Sequence, residues 1–279
     1  MIGQLEKNTQ QNKRKKIIKI AVCFSCIVLF LLAAFDVRLK SVVYHIDSGK
    51  IHKTIQIALI TDLHSCEYGK KQEELLKKIH QNKPDVILLG GDIFDDNIGN
   101  QHTIELLDGI AHKYPCYYVT GNHEYWSGKM DQIMKTLKSY SVSVLQGSTD
   151  VIEINGQKIS ISGIDDPESG QYEQLEQVGL TRDSQNFTIL LTHRPSYIQS
   201  YREEGFDLVL AGHAHGGQWR LPFCQNGLYA PDEGWFPSYS GGEFDFPDCK
   251  MIVSRGLARE STRIPRIFNR PELVFIKVQ

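Results

Sequence analysis

Five short apolar runs in this chain each break off at a polar residue of metal-binding type. Residues 55–60 lead into Thr61-Asp62-Leu63-His64, and residues 86–89 into Gly90-Gly91-Asp92. Residues 117–119 lead into Thr120-Gly121-Asn122-His123-Glu124, 188–191 into Thr192-His193, and 208–211 into Gly212-His213-Ala214-His215. In α/β proteins, ligands bind in the crevice beyond the carboxyl ends of the strands. A chain that places Asp62, His64, Asp92, Asn122, His123, His193, His213 and His215 along that edge is suited to holding metal there.

The stretches between the runs support that architecture. Residues 70–80 carry Leu75, Leu76 and Ile79 at helical spacing amid Lys and Glu, and Pro84 stops the pattern. Residues 103–112 and 129–140 are similar. Strands alternating with helices in βαβα order argue for a layered α/β fold. The second half reads as richer in strand: 151–154 and 158–162 flank Asn155-Gly156, a hairpin turn signal, and 188–191, 208–210, 251–254 and 273–278 follow. The total implies two sheets with helices outside, in one domain. Residues 218–249 have no period but hold Trp219, Phe223, Tyr229, Trp235, Phe236, Tyr239, Phe244 and Phe246, so this long segment is read as ordered. It serves either as the wall of a pocket for a lipid or sugar group or as a cover over the sheet.

At the other end, Lys13-Arg14-Lys15-Lys16 precedes residues 17–35, which are apolar apart from Lys19 and a few small polar residues. Nineteen helical residues span about 28 Å, close to the hydrocarbon thickness of a bilayer. The basic cluster comes first, so the positive-inside rule puts residues 1–16 in the cytoplasm as a tail and everything after the transmembrane signal-anchor (17–35) outside. A cleavable signal peptide and a buried core helix are the competing readings, and Leu32-Ala33-Ala34 is a poor cleavage pattern. Residues 36–54 form a juxtamembrane linker that enters the fold as a strand around 41–46.

With 41% hydrophobic and 23% charged residues the whole chain has the composition of a globular protein. A net charge of −2 gives no electrostatic reason to expect a nucleic-acid partner. No cysteine pair has zinc-site spacing, and a Cys224–Cys249 bridge is permitted outside the membrane without being demanded. Ligands of carboxylate and imidazole without thiolate suit Mn²⁺, Fe²⁺ or Zn²⁺. Asp62 and His64, like His213 and His215, are two apart, a spacing that puts side chains on one side of an extended segment.

Taken in order, Asp62-Leu63-His64, Gly91-Asp92, Gly121-Asn122-His123-Glu124, His193 and Gly212-His213-Ala214-His215 match the five motifs of the calcineurin-like metallophosphoesterases. The chain therefore resembles that family over residues 55–279. The resemblance implies a four-layer α/β/β/α sandwich of the metallo-dependent phosphatase type and two divalent metal ions. Asp62, His64 and His215 would hold one ion; Asn122, His193 and His213 would hold the other; Asp92 would bridge them. His123 resembles the catalytic histidine, which protonates the leaving group while a metal-activated hydroxide attacks. Glu124 is expected to support the ligands rather than bind metal. Asp95 and Asp96 are expected in a solvated loop, and His45, His52, His80, His102 and His112 at surface or packing positions. Arg255, Arg259 and Arg263 are candidates for phosphate contact.

The N-terminal anchor and the ending from Arg263 to Glu272 further resemble a bacterial membrane-anchored branch. The function implied is hydrolysis of a phosphoester, of phosphodiesterase or pyrophosphatase type, on a membrane- or envelope-associated substrate, lipid-linked ones included. Some relatives of that branch are linked to a UDP-2,3-diacylglucosamine lipid precursor. Such a precursor is made in the cytoplasm and conflicts with an outward-facing site, and the charge asymmetry is the stronger signal. A non-catalytic phosphate-binding scaffold is the alternative of a different class, and degenerate relatives of that kind usually lack several of the eight residues present here.

Overall fold

The computed structural model describes residues 2–222, 224, 226–230, 233–259 and 264–279. In chain order, the first half holds helix α1 (Ile2–Ala34), strands β1 (Lys40–Ile46) and β2 (Ile55–Ile60), α2 (Glu73–Asn82), β3 (Val86–Gly90), α3 (Gln101–Ile110), β4 (Cys116–Val119), α4 (Asn122–Trp126), α5 (Met130–Ser139) and β5 (Ser143–Val144). The second half holds β6 (Ser148–Ile154), β7 (Gln157–Gly163), α6 (Gln174–Thr181), β8 (Phe187–Leu191), α7 (Ile198–Glu203), β9 (Leu208–Ala211), β10 (Tyr229–Ala230), β11 (Gly234–Trp235), β12 (Gly242–Asp245), β13 (Lys250–Val253) and β14 (Glu272–Val278).

Two six-stranded sheets result, in the orders β1-β14-β2-β3-β4-β5 and β12-β13-β9-β8-β7-β6. Strands β2 to β5 run parallel; β14 lies antiparallel to β2 and takes β1 on its far side. In the second sheet β7, β8, β9 and β13 are parallel, with antiparallel β6 and β12 on the edges.

Side chains alternate across each strand, and here both faces are covered. Ile57, Leu59, Leu88 and Val119 of the first sheet pack with Ile161, Ile189, Leu191 and Leu210 of the second, forming the seam between the sheets. The intervening residues Ala58, Ile60, Ile87, Leu89 and Tyr118 pack on Leu75, Ile79, Leu106, Leu107 and Leu137 from helices α2, α3 and α5. On the opposite outer face Leu190, Val209 and Met251 meet Val178, Ile198 and Phe206. The layers are therefore helix, sheet, sheet, helix. Strands apolar on both faces read as unbroken apolar runs rather than as alternation, which is why the central strands were legible. Each fully buried aliphatic side chain contributes roughly 1.5–3 kcal/mol to this packing.

Helix boundaries shift from the expected ones where the backbone turns left-handed. Gln72 (φ 61°) separates a single 3₁₀ turn from α2, and Lys83 (φ 47°) ends that helix just before Pro84. Helix α3 begins at Gln101, two residues earlier than its apolar pattern. Helices α4, α6 and α7 were not expected. Cys224 is exposed, Cys249 is buried, and no disulfide joins them.

The aromatic segment divides into two parts. Tyr239, Phe244 and Phe246 pack against the outer face of the second sheet, with β12 paired to β13, so this half is a cover. Trp219, Tyr229, Trp235 and Phe236 form a separate group around the hairpin β10–β11. Phe223 lies outside the described residues. Within α1, the stretch Asn12–Ala34 contains an 18-residue window of mean hydropathy 2.7 and is long and apolar enough to cross a membrane, a test that a signal sequence also meets.

Candidate metal centre

The parallel strands bring their carboxyl ends to one edge, and the loops leaving them continue to pair. The Asp62 N–H donates to the Gly91 carbonyl (3.0 Å), and the His64 N–H to the Asp92 carbonyl (2.9 Å). From the second sheet, the His213 N–H donates to Asp62 Oδ1 at 2.9 Å, which ties the two sheets together at the site. Asp62, His64, Asp92, His213 and His215 all have positive φ, between 45° and 69°. Their convergence therefore comes from tight left-handed turns and not, as the two-residue spacing suggested, from an extended segment. Such backbone strain costs about 1–3 kcal/mol per residue and persists only where the surroundings hold it. Part of that hold is glycine. A Cβ on Gly91 (φ 86°) would lie 2.5 Å from His193 Nδ1, and one on Gly256 (φ 68°) would lie 2.6 Å from Asp62 Cβ.

Besides a set made of His64, Asp95 and His123, two sets of side chains place ligand-type atoms within 4.8 Å of one another: Asp62, His64, Asp92 and His215 in one, and Asp92, His193 and His213 in the other. Asp92 belongs to both. His64 Nε2 lies 3.3 Å from His215 Nε2 and 3.6 Å from Asp92 Oδ2. His215 Nε2 lies 3.4 Å from Asp62 Oδ1, and His193 Nε2 lies 3.1 Å from Asp92 Oδ2. All seven are buried, Asn122 included.

The chemistry of this set fits divalent cations. An ionised carboxylate only accepts, so Asp95, 3.0 Å from His64 Nδ1, assigns the ring proton to that nitrogen. The lone pair on Nε2 then faces His215 Nε2. His193 Nδ1 likewise donates to the Gly90 carbonyl (2.9 Å), which turns its Nε2 toward Asp92 Oδ2. Asp62 Oδ2 and Asn122 Oδ1 are buried without a hydrogen-bond partner. Buried acceptors left unpaired cost several kcal/mol unless a cation takes their lone pairs.

Electrostatics agree. Burial alone would raise the Asp92 carboxyl, but His193, His64 and His123 hold it well below the usual carboxylate range. Burial lowers His193, and the contacting Asp92 carboxylate more than reverses this, raising it to about 10. Burial, more than the charge of His193 and Arg194, takes His213 well below an ordinary imidazole.

Three acidic side chains support the site. Glu124 accepts the backbone N–H groups of Gly121, Asp92, Ile93 and Phe94 at 2.8–3.0 Å, clamping the loop that carries Asp92. Burial and the Asp92 charge push its carboxyl up to about 7. Asp95 and Asp96 do not sit in a solvated loop. Asp95 is buried against His64 and also accepts the N–H groups of Asn97 and Ile98. Asp96 lies 2.6 Å from His123 Nδ1. The His123 ring packs edge-on against His64, with centroids 4.4 Å apart, and its backbone N–H donates to Asp92 Oδ1. The doublet Asp95-Asp96 just after a ligand run was the available signal, but its pairing depends on a loop path that local sequence does not specify.

Among the described residues, the arginines expected near phosphate have other partners. Arg255 pairs with Glu272 (3.6 Å), and Arg259 lies over the Tyr68 ring, 4.6 Å from its centroid. Arg263 lies outside the described residues. Arg194, not anticipated, binds Asp166 through Nε (2.7 Å) and places Nη1 3.4 Å from His213 Nε2.

The sequence profile of the calcineurin-like phosphoesterases matches residues 55–217, which include every residue of this cluster. The chain belongs to that family, whose members are metal-dependent phosphoester hydrolases. Among its relatives is the phosphodiesterase YaeI of Escherichia coli, 31% identical over 204 residues that cover 71% of this chain and 72% of that protein. An uncharacterized metallophosphoesterase of Helicobacter pylori is 30% identical over 189 residues, covering 65% of this chain. The match spans about half, 49%, of that longer relative. The fold is similar to Haemophilus influenzae NAD nucleotidase (TM-score 0.51, 15% identity, 74% of this chain and 46% of that one). It is also similar to phosphopantetheinyl hydrolase of Mycobacterium tuberculosis (TM-score 0.50, 12% identity, 77% of this chain and 94% of that one).

Proposed function

We propose that this calcineurin-like phosphoesterase is a phosphodiesterase with a dinuclear centre, anchored in the cell membrane with its site outside. The observation that carries the reading is the membership of Asp92 in both ligand sets. In this reading Asp62, His64 and His215 hold one Mn²⁺, Fe²⁺ or Zn²⁺ ion. Asn122, His193 and His213 hold the second, and Asp92 serves both. Two divalent ions held against two carboxylates would supply the positive charge that attracts a phosphodiester and would lower the pKa of a bound water.

The chain's own residues do the rest. Asp95 and the Gly90 carbonyl fix the ring nitrogens of His64 and His193 that face the centre. Asp96 holds His123 by Nδ1, which leaves Nε2 to deliver a proton to the departing alkoxide. The name of the Escherichia coli relative supports a diester over a monoester substrate.

For the anchor, the basic cluster at residues 13–16 supports a cytoplasmic N-terminus and residues 17–35 as the span, with 36–54 a linker that joins the first sheet through β1 and 55–279 the phosphoesterase domain. An outward-facing site favours an envelope phosphoester over a nucleotide-linked lipid precursor.

Purified full-length chain loaded with Mn²⁺ should hydrolyse bis-p-nitrophenyl phosphate, and Asp92→Ala or His213→Ala should abolish this. Activity retained in both variants, or present without metal, would refute the reading.

A further inference from the structure

The hairpin β10–β11 displays large apolar side chains to solvent. Trp235 is 62% exposed and Phe236 73%. They have aromatic neighbours: the Trp235 ring meets Tyr229 edge-on (centroids 5.5 Å apart) and lies tilted against Trp219 (5.9 Å) and Phe236 (6.3 Å). Aromatic side chains grouped and facing outward, while Tyr239, Phe244 and Phe246 of the same segment turn to the core, mark a surface built to meet something apolar.

The position of this surface says what it meets. Trp219 bridges to Ile267, and the Ile267 N–H donates to the Gln218 carbonyl at 3.0 Å. The next residue, Phe268, donates its N–H to the Ala34 carbonyl at the last residue of α1 (2.7 Å). Its ring meets Phe30 edge-on, with centroids 5.2 Å apart. Phe30 lies one turn, about 6 Å, back along the apolar helix, so Phe268 sits at the level of the helix end, where the anchored reading puts the edge of the bilayer. The hairpin is one strand away from it. Trp beside the end of a membrane span occupies the interfacial layer, where its apolar body and polar N–H are both satisfied.

The same segment reaches the metal centre. Asn269 Nδ2 donates to the His215 carbonyl at 2.7 Å, as does the Gln218 N–H at 3.3 Å. Among the described residues, Arg38 and Arg270 beyond the end of α1 both pair with Asp36, so the contact is argued from its apolar side chains and not from charge attraction to headgroups.

We infer that hairpin β10–β11 is a bilayer-docking element, in which Trp235 and Phe236 enter the interfacial layer of the membrane crossed by α1. Docking holds the edge with His215 against the surface and selects phosphoesters carried in lipid headgroups over soluble ones. This inference rests on the anchored reading above.

The test uses the full chain in vesicles of phosphatidylcholine and phosphatidylglycerol, with ordinary or acyl-brominated phosphatidylcholine. The chain has three tryptophans, Trp126, Trp219 and Trp235. Brominated lipid should quench the wild-type emission, and Trp235→Phe should remove most of the quenching. Moving the indole by one residue, Trp235→Phe with Phe236→Trp, should restore it. Equal quenching in the wild type and Trp235→Phe, with both retained in the membrane after an alkaline carbonate wash, would overturn the docking and leave the anchor standing. Release of the chain by carbonate would overturn the anchor, and the docking with it.

Discussion

His64 Nδ1 and Asp95 Oδ2 stand 3.0 Å apart in a buried contact that decides which imidazole nitrogen faces the metal centre. An amide at residue 95 can present either a donor or an acceptor to the ring and no longer dictates the tautomer. Asp95→Asn should weaken metal affinity by about 10–100-fold, the usual effect of losing such a partner. Titration with Mn²⁺ followed by calorimetry measures it; unchanged affinity would show that Asp95 does not orient the ligand.

Asp96 and His123 form a second carboxylate–imidazole pair, one step removed from the ligand sets. Asp96→Asn should lower kcat by about 10²–10⁴-fold, the range associated with a positioned proton donor, with metal content unchanged. Metal analysis beside steady-state kinetics separates the two effects. Metal loss in parallel with activity would make Asp96 a structural support of the centre instead.

Proton release should accompany metal binding. With His193 raised to about 10 in the metal-free site, the ring must lose its proton before Nε2 can bind a cation. Apparent affinity should therefore rise by about tenfold per pH unit between pH 7 and 10 for each proton expelled. The same shift sets the metal-free stability. A raised folded pKa stabilises fully below the unfolded value of about 6.5, and that contribution disappears as pH climbs to about 10. The Tm of metal-free protein should fall across this window, and metal should flatten the fall. Calorimetry in buffers of different ionisation enthalpy reads the proton count; none released would contradict the His193 assignment.

Gly91→Ala combines a left-handed backbone with a Cβ placed 2.5 Å from His193 Nδ1. Strain of about 1–3 kcal/mol is expected from the φ alone, and displacement of His193 adds a loss of metal affinity. A urea denaturation midpoint close to that of the wild type would show that the turn relaxes.

The strand ends were readable because β2, β3, β8 and β9 are apolar on both faces, so each run stops abruptly at a polar residue. The ligand types at those stops, from Asp62 to His215, followed directly. The agents that bring them together were less visible. Left-handed turns at Asp62, His64, Asp92, His213 and His215 leave no composition signal, because none of the five is glycine. Glu124 could be placed near the ligands from its motif, but its four backbone N–H partners lie in two separate loops. Gly256 and Asn269 reach the site from segments about 200 residues distant from Asp62 in sequence, and only the pairing of β13 and β14 into the two sheets brings them there. Helices α6 and α7 are short and weakly patterned, and tertiary packing of Val178 and Ile198 rather than intrinsic propensity explains them.

Electron paramagnetic resonance of the fully Mn²⁺-loaded chain tests the shared Asp92 most directly. Two Mn²⁺ ions per chain, with the exchange-coupled spectrum of a bridged pair that Asp92→Asn converts to isolated ions, is the predicted result. A simple six-line spectrum of one uncoupled ion in the wild type at saturation, or no tight binding at all, would contradict the dinuclear account.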